Sequence, residues 1–276
     1  MWSKVGKQNG VTTTSIAFGV IISKLLPDKN ILLIDTNTNF ALMENYLDTT
    51  NTKSLDTLMD RESVNDLNKE NFCNCLNSIN TIKEQFNLYS VNAGKCYIYD
   101  NIRSVKTNIS NILDLSKEMF DFIIIDNGVE VNEISSLINN KADMVVNLIK
   151  PNIHVLNHMQ ETRQLEEILD SEKYYNIFNM YRDSIGIGLN DIEKNWGIKD
   201  FGVIPFYSDL DYLVNSGNFV KELSSDNETN YIDAVKDIST NILNLLDVTV
   251  EDNFETQNNK KGVFKFFFGQ KGVARG

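Results

Sequence analysis

Two short apolar runs that each end in an aspartate limit most strongly what this chain can fold into. They are ILLID, Ile31–Asp35, and FIIID, Phe122–Asp126. Short runs that are rich in β-branched residues and lack polar alternation are typical of strands buried on both faces. Such strands belong to parallel sheets, whose carboxyl ends share one edge. The sequence therefore predicts that both aspartates lie at the carboxyl edge of a buried parallel sheet.

Other strands and helices are expected to alternate with these two. Residues 142–151 and 201–206 contain similar apolar runs. Helical periodicity marks the segment from Thr12 to Leu26 and a closing segment near residues 231–246. This alternation predicts an α/β fold: a mostly parallel, twisted sheet with helices on both faces. The polar segment 45–75 is expected at the edge of the domain.

Composition divides the chain into three parts. Residues 1–247 are predicted to form one globular domain, residues 248–259 an acidic linker, and residues 260–276 a basic tail. The tail carries +5 of a chain whose net charge is −12, which leaves −17 on residues 1–259. This acidic balance does not support general affinity for nucleic-acid backbone, although a local basic patch is compatible with it.

The cysteines and the start of the chain bear on the cellular compartment. The three cysteines lack metal-ligand spacing, which fits reduced thiols. No apolar run reaches the roughly 18 to 20 residues of a membrane span. Met1 leads into a polar segment without the apolar core of a signal peptide. We therefore expect a cytoplasmic protein.

The segment GKQNGVTTTS, residues 6–15, has the composition of a phosphate-binding loop before a helix. In the pattern G-x-x-x-x-G-K-[ST], glycine amides surround phosphate, the lysine reaches its outer oxygens, and the hydroxyl holds magnesium. Here Val11 occupies the lysine position, while Thr12 and Thr13 supply hydroxyls. A simpler alternative is that the threonines only cap the helix and the aspartates only shape turns.

The motifs together resemble those of the MinD/ParA family of P-loop ATPases, over residues 1 to about 246. NGVTTTSIAFG resembles the end of the family's deviant loop, KGGVGKTT, and the start of its helix. ILLIDTNTN resembles its strand with D-x-D, and FDFIIIDNG resembles its next strand. VIPFYSDLDYLVNSGNFVKEL resembles its later Ile-Pro segment.

The resemblance implies an ATP or ADP site with Mg²⁺. It implies that Thr12, Asp35 and Asp126 surround the metal directly or through water. It also implies that an asparagine after a later strand and the Ile-Pro segment recognise adenine, which makes Asn179 and Pro205 the candidates. Because the chain is rich in asparagine, the alternative is that Asn179 matches the family position by chance. The implied nucleotide-binding residues are Gly6, Lys7, Gly10, Val11, Thr12, Thr13, Asn179 and Pro205.

Departures from the family pattern bear on catalysis. In an ungapped alignment, Gly6 stands at the signature lysine and Val11 stands at the loop lysine; a gap would place Lys4 or Lys7 at the signature position instead. Asn37 replaces the second, water-orienting aspartate, and an amide cannot act as a carboxylate base. Phosphoryl transfer depends on positioning and charge stabilisation, so these losses should slow hydrolysis more than they weaken binding. Whether the protein is an enzyme stays open; if active, it is expected to be a slow ATPase.

The basic tail contains KKGVFKFFFG, which predicts a short amphipathic helix. Phenylalanines on one face and lysines on its flanks are typical of helices in a membrane interface. The segment also resembles the membrane-targeting end of MinD. The alternative is that it docks onto its own acidic domain or onto a protein partner. The candidate membrane-contacting residues are Lys260, Lys261, Val263, Phe264, Lys265, Phe267 and Phe268.

The resemblance implies an ATP-binding switch that acts as a homodimer at the inner face of the cell membrane. Such a switch positions an unidentified protein partner, in division, partition, or a pilus, secretion or conjugation apparatus. The competing interpretation is a membrane-anchored scaffold that uses nucleotide structurally or not at all. A degenerate loop is compatible with both.

Overall fold

A computed structural model describes residues 1–3, 9–37, 42–49, 53–80, 85–94, 102–129, 132–162, 173–184, 186–225 and 227–249. The strands are β1 (Ile31–Asp35), β2 (Asn77–Asn80), β3 (Gln85–Val91), β4 (Phe122–Asp126), β5 (Val145–Ile149), β6 (Tyr174–Tyr181) and β7 (Gly202–Pro205). The helices are α1 (Val11–Leu25), α2 (Met43–Leu47), α3 (Leu55–Ser63), α4 (Lys69–Cys73), α5 (Ile102–Lys117), α6 (Glu133–Lys141), α7 (Ile153–Thr162), α8 (Leu189–Trp196), α9 (Leu210–Asn215), α10 (Phe219–Ser224) and α11 (Asn230–Leu245).

The strands form two hydrogen-bonded groups that the first residues of the chain connect. The orders are β2-β3-β1-β4 and β5-β6-β7, and every pairing is parallel except β2 with β3. Residues 1–3 lie between β4 and β5. The Trp2 N–H donates to the Val146 carbonyl at 3.0 Å, and the Asn127 N–H donates to the Met1 carbonyl at 2.9 Å. Trp2 is buried between the two groups of strands.

Helices cover both faces of the sheet, as predicted. Side chains alternate along β1, because successive residues of a strand point to opposite faces. Ile31 and Leu33 join one apolar cluster with residues of α1, α10 and α11. Leu32 and Ile34 join a second cluster with residues of α3 and α5. The predicted α/β class with a mostly parallel sheet is confirmed.

The polar segment 45–75 was predicted to be helical or irregular, and its described part contains the end of α2 and the whole of α3 and α4. Helices α3 and α4 bury Leu55, Leu58 and Phe72 in the cluster against α5. None of the described helices is long and apolar enough to cross a bilayer.

Candidate functional site

Helix α1 begins at the carboxyl edge of the sheet, directly after a glycine that the backbone requires. Gly10 has φ 75° and ψ 31°, in the left-handed region. A Cβ at this position would lie 2.6 Å from Asn179 Nδ2. The first amides of α1 lack an intrahelical acceptor, and the helix dipole adds positive potential there. This end of α1 therefore suits an anion.

Two carboxylates lie beside this helix end. Asp35 and Asp126 are register partners at the carboxyl ends of β1 and β4, and both are almost fully buried. The Thr12 hydroxyl donates to Asp126 Oδ2 at 2.5 Å. The Gly128 N–H donates to Asp126 Oδ1 at 3.0 Å, and the Asn37 N–H donates to Asp35 Oδ1 at 2.9 Å. The structure thus brings together the three residues predicted to surround a metal ion.

The electrostatics of this pair favour a cation. Burial raises the pKa of Asp35 well above its ordinary value, and the neighbouring Asp126 charge raises it further. Burial also raises the pKa of Asp126, against the opposing effects of the Thr12 and Gly128 hydrogen bonds and the Met1 ammonium. Two buried like charges are costly unless a cation lies between them. Carboxylate and hydroxyl oxygens are the ligands that Mg²⁺ prefers, so the donor set fits this ion.

The structure shows which residues surround Val11 and Asn37, two positions that depart from the family pattern. Val11 is 5% exposed and its side chain belongs to the apolar cluster around α1. It therefore offers only its backbone to a ligand. Asn37 lies beside Gly128, where a Cβ would come within 3.3 Å of Asn37 Cγ. Its predicted, weakened catalytic role stays a prediction.

The Asn179 side chain links β6 to the phosphate-binding segment by hydrogen bonds. Its Nδ2 donates to the Asn9 carbonyl at 2.7 Å and to Thr14 Oγ1 at 3.3 Å. Its Oδ1 accepts from the Met180 N–H at 2.9 Å. The side chain is buried, so its contacts hold the loop. Its predicted contact with adenine stays a prediction.

Thr13 and Pro205 are the remaining described residues of the predicted nucleotide site. The Thr13 hydroxyl donates to the Gly10 carbonyl at 3.0 Å, which stabilises the first turn of α1. Pro205 ends β7, and the next residue, Phe206, donates its N–H to the Tyr181 carbonyl at 2.8 Å. The Arg182 guanidinium lies 3.7 Å from the centre of the Phe206 ring. No sequence motif predicts this cation–π pair.

A buried hydrogen bond that no local sequence pattern encodes joins Ser3 and Asn9. Asn9 Nδ2 donates to Ser3 Oγ at 2.5 Å, and both residues are buried. This bond links Ser3, beside β4 and β5, to the residue before Gly10. Several predicted site residues lie outside the described residues, and their roles stay predictions. They are Gly6, Lys7, Lys260, Lys261, Val263, Phe264, Lys265, Phe267 and Phe268.

Similarity to known proteins is detectable only in structure. No protein-family model matches the chain, and no curated protein matches its sequence. A ParA family ATPase from Chlorobium tepidum superposes with a TM-score of 0.70 at 17% identity, over 87% of this chain and 98% of that one. MinD in the MinC:MinD cell division complex of Aquifex aeolicus gives a TM-score of 0.68 at 17% identity, over 88% and 94%.

A third neighbour was solved with a ligand. The septum site-determining protein MinD from Pyrococcus horikoshii, complexed with Mg-ADP, gives a TM-score of 0.67 at 14% identity, over 89% of this chain and 95% of that one. Identities this low carry the fold and nothing beyond it. The three superpositions each cover at least 87% of this chain and at least 94% of the neighbour, so they agree on one architecture. The chain therefore has the α/β fold of the ParA/MinD ATPases.

Proposed function

We propose that this protein binds Mg·ATP and Mg·ADP at the start of α1 and uses the nucleotide as a switch that positions a partner at the membrane. The observation that carries the proposal is the Thr12–Asp126 hydrogen bond, with Asp35 adjacent, at the free end of α1. The Mg-ADP complex of the Pyrococcus MinD, which shares the fold, supports the choice of ligand.

Different groups of the chain would contact the metal ion and the phosphates. The Thr12 hydroxyl and the carboxylates of Asp35 and Asp126 would hold Mg²⁺, directly or through water. The amides that follow Gly10 would bind phosphate oxygens. The bound cation neutralises carboxylates whose burial otherwise disfavours their charged forms.

Turnover is proposed to be slow. The Val11 side chain is held in the apolar core, so it supplies no charge to a transferring phosphoryl group. Asn37 can orient water through hydrogen bonds but cannot accept its proton as a carboxylate does. These two positions also favour a second candidate function, a scaffold that binds nucleotide without cleaving it.

Membrane attachment is proposed to reside in the tail. Its basic residues would contact anionic lipid, and the phenylalanines would enter the interface. One short helix binds weakly, whereas two tails joined by dimerisation bind with much higher avidity. Nucleotide-dependent dimerisation would then control membrane residence. A protein partner is supported by the Aquifex neighbour, which was solved in complex with MinC.

Flotation with anionic vesicles tests the switch. The full chain is mixed with vesicles in the presence of Mg·ATP, Mg·ADP or no nucleotide. We expect binding with ATP to exceed the other two, and Phe267→Asp to abolish it. Phe266→Asp is the matched control, because Phe266 lies off the predicted apolar stripe. Equal flotation under all three conditions would eliminate the switch.

A further inference from the structure

Strand β6 contains an extra residue where it passes the candidate nucleotide site. From Phe178 to Tyr181 the chain of β6 takes three steps, while the paired chain of β7 takes two, from Val203 to Pro205. An extra residue on one strand of a pair is a β-bulge, and residues 179–180 form it here. We call these two residues the β6 bulge. Bulges redirect side chains and are frequent beside active sites.

Met180 of the bulge has a backbone conformation that its side chain disfavours. Its φ is 55°, in the left-handed region, where a Cβ comes too close to the following carbonyl oxygen. The other non-glycine residues with positive φ in the described ranges are Asp48, Asn65 and Asp247, whose side chains tolerate this region better. Such conformations persist where the surroundings over-determine them, and they cluster at functional sites. The contacts of Met180 therefore matter.

The bulge sets the direction of the Asn179 side chain. The Met180 N–H donates to Asn179 Oδ1 at 2.9 Å. Because the oxygen and nitrogen of a carboxamide are fixed in one plane, holding the oxygen on Met180 determines where the nitrogen points. Asn179 Nδ2 points to the start of α1, where it donates to the Asn9 carbonyl at 2.7 Å and to Thr14 Oγ1 at 3.3 Å.

Asn179 in turn holds the chain on both sides of Gly10. Asn9 precedes this glycine, and the Thr14 N–H donates to the Gly10 carbonyl at 2.9 Å in the first turn of α1. A Cβ on Gly10 would lie 2.6 Å from Asn179 Nδ2 and 3.2 Å from Met180 Cε, so the bulge packs directly against the glycine. The position of the first amides of α1 therefore depends on the bulge.

We propose that Met180 is a positioning residue for the phosphate site, and that it acts through its left-handed backbone rather than through its side chain. This inference rests on the proposed function, because it concerns how the nucleotide site is formed. The left-handed conformation keeps the Met180 N–H on Asn179, and Asn179 holds the residues on either side of Gly10. Because Val11 offers only its backbone, phosphate binding depends on the amides that this chain of contacts positions.

Two substitutions separate the backbone of Met180 from its side chain. Met180→Ile keeps an apolar side chain of similar size, but a β-branched residue is a genuine outlier at positive φ. Met180→Gly removes the side chain and tolerates the left-handed conformation. If the backbone conformation positions the site, isoleucine disrupts the site and glycine preserves it. If the side-chain contact with Gly10 positions the site, the reverse holds.

Two measurements are made on each protein. Hydrogen exchange of the Asn179 side-chain amide, followed by NMR without ligand, reports the contacts of the bulge. Calorimetric titration of Mg·ATP reports binding. We expect Met180→Ile to accelerate this exchange by about tenfold or more and to weaken Mg·ATP binding by about tenfold or more, because the hydrogen bonds of Asn179 are lost. Met180→Gly should remain within about threefold of the native chain in both measurements.

Asn65→Ile is the matched control for backbone strain. Asn65 has a φ of 54°, is exposed and follows α3, which packs on the face of the sheet opposite α1. The substitution therefore imposes the same backbone conflict away from the site. We expect it to lower Tm while the exchange of the Asn179 side-chain amide and the affinity for Mg·ATP stay native.

Two results would overturn the proposal. One is native exchange and native affinity in Met180→Ile. The other is a loss in Met180→Gly as large as in Met180→Ile, which would assign the effect to the side chain. Failure of the native chain to bind Mg·ATP would overturn the proposed function and this inference together. Binding by the native chain that Met180→Ile retains would overturn this inference alone.

Discussion

At the scale of single residues, the Thr12 hydroxyl connects the start of α1 to the buried carboxylates. We predict that Thr12→Ala weakens nucleotide binding in the presence of Mg²⁺ by about tenfold or more, because a hydrogen bond to a charged group contributes roughly 1.5–3 kcal/mol. Without Mg²⁺ the variant should bind nearly as the native chain does. Thr12→Ser keeps the hydroxyl and is the control. Calorimetric titration measures both, and an equal loss without Mg²⁺ would contradict the metal role.

A second residue-scale prediction concerns Asp35 in the ligand-free protein. Its folded pKa lies above the unfolded value, so its ionisation opposes folding. Stability should therefore rise as pH falls from neutrality through the raised pKa toward the ordinary carboxyl range. Asp35→Asn should raise stability at neutral pH by about 0.5–2 kcal/mol and flatten this pH dependence. Chemical denaturation without Mg²⁺ measures both; a destabilised variant would show that the charged form is compensated.

The same residues mark how far sequence can predict a site. Thr12, Asp35 and Asp126 could be brought together in advance, because parallel strands end at one edge and α1 begins there. The role of Asn179 could not be predicted. Its amide bonds to Asn9, which lies 170 positions earlier in the chain, and no local pattern encodes such a contact.

At the scale of elements, the packing of α1 on β1 sets the distance between the helix end and the carboxylates. Gly19 lies at this contact, where a Cβ would come within 2.8 Å of Leu33 Cδ2, and Leu33 is fully buried. We predict that Gly19→Ala destabilises the fold by about 1–3 kcal/mol through overpacking. In a Leu33→Ala background the same change should cost almost nothing, because the clashing atoms are gone. Thermal unfolding of the native chain, the two single variants and the double variant completes the double-mutant cycle. If the losses of stability from the two single variants add up in the double variant, the clash is refuted.

Prediction of elements succeeded where apolar runs were continuous. β1 and β4 have the predicted bounds, and β5 and β7 lie inside their predicted segments. β2, β3 and β6 were not predicted, because polar residues interrupt them. In β6, for example, Asn176 Oδ1 accepts a hydrogen bond at 3.0 Å from Asn147 Nδ2 of β5. This partner comes from another strand, so the local sequence does not reveal it.

At the scale of the whole molecule, charge is separated between an acidic body and a basic tail. We predict that vesicle binding falls steeply as salt rises from 0.05 M to 0.5 M, since the Debye length falls from roughly 14 Å to roughly 4 Å. Flotation across a salt series measures this dependence. Vesicle binding that stays constant over the series would contradict the role of charge.

The central claim is that a loop with valine at the lysine position still binds Mg²⁺-nucleotide. Calorimetric titration of Mg·ATP into the native chain and into Asp35→Ala tests it most directly. We predict micromolar affinity for the native chain and a loss of about tenfold or more in the variant, since a carboxylate ligand is removed. No heat of binding at millimolar Mg·ATP, or equal binding by both proteins, would contradict the claim.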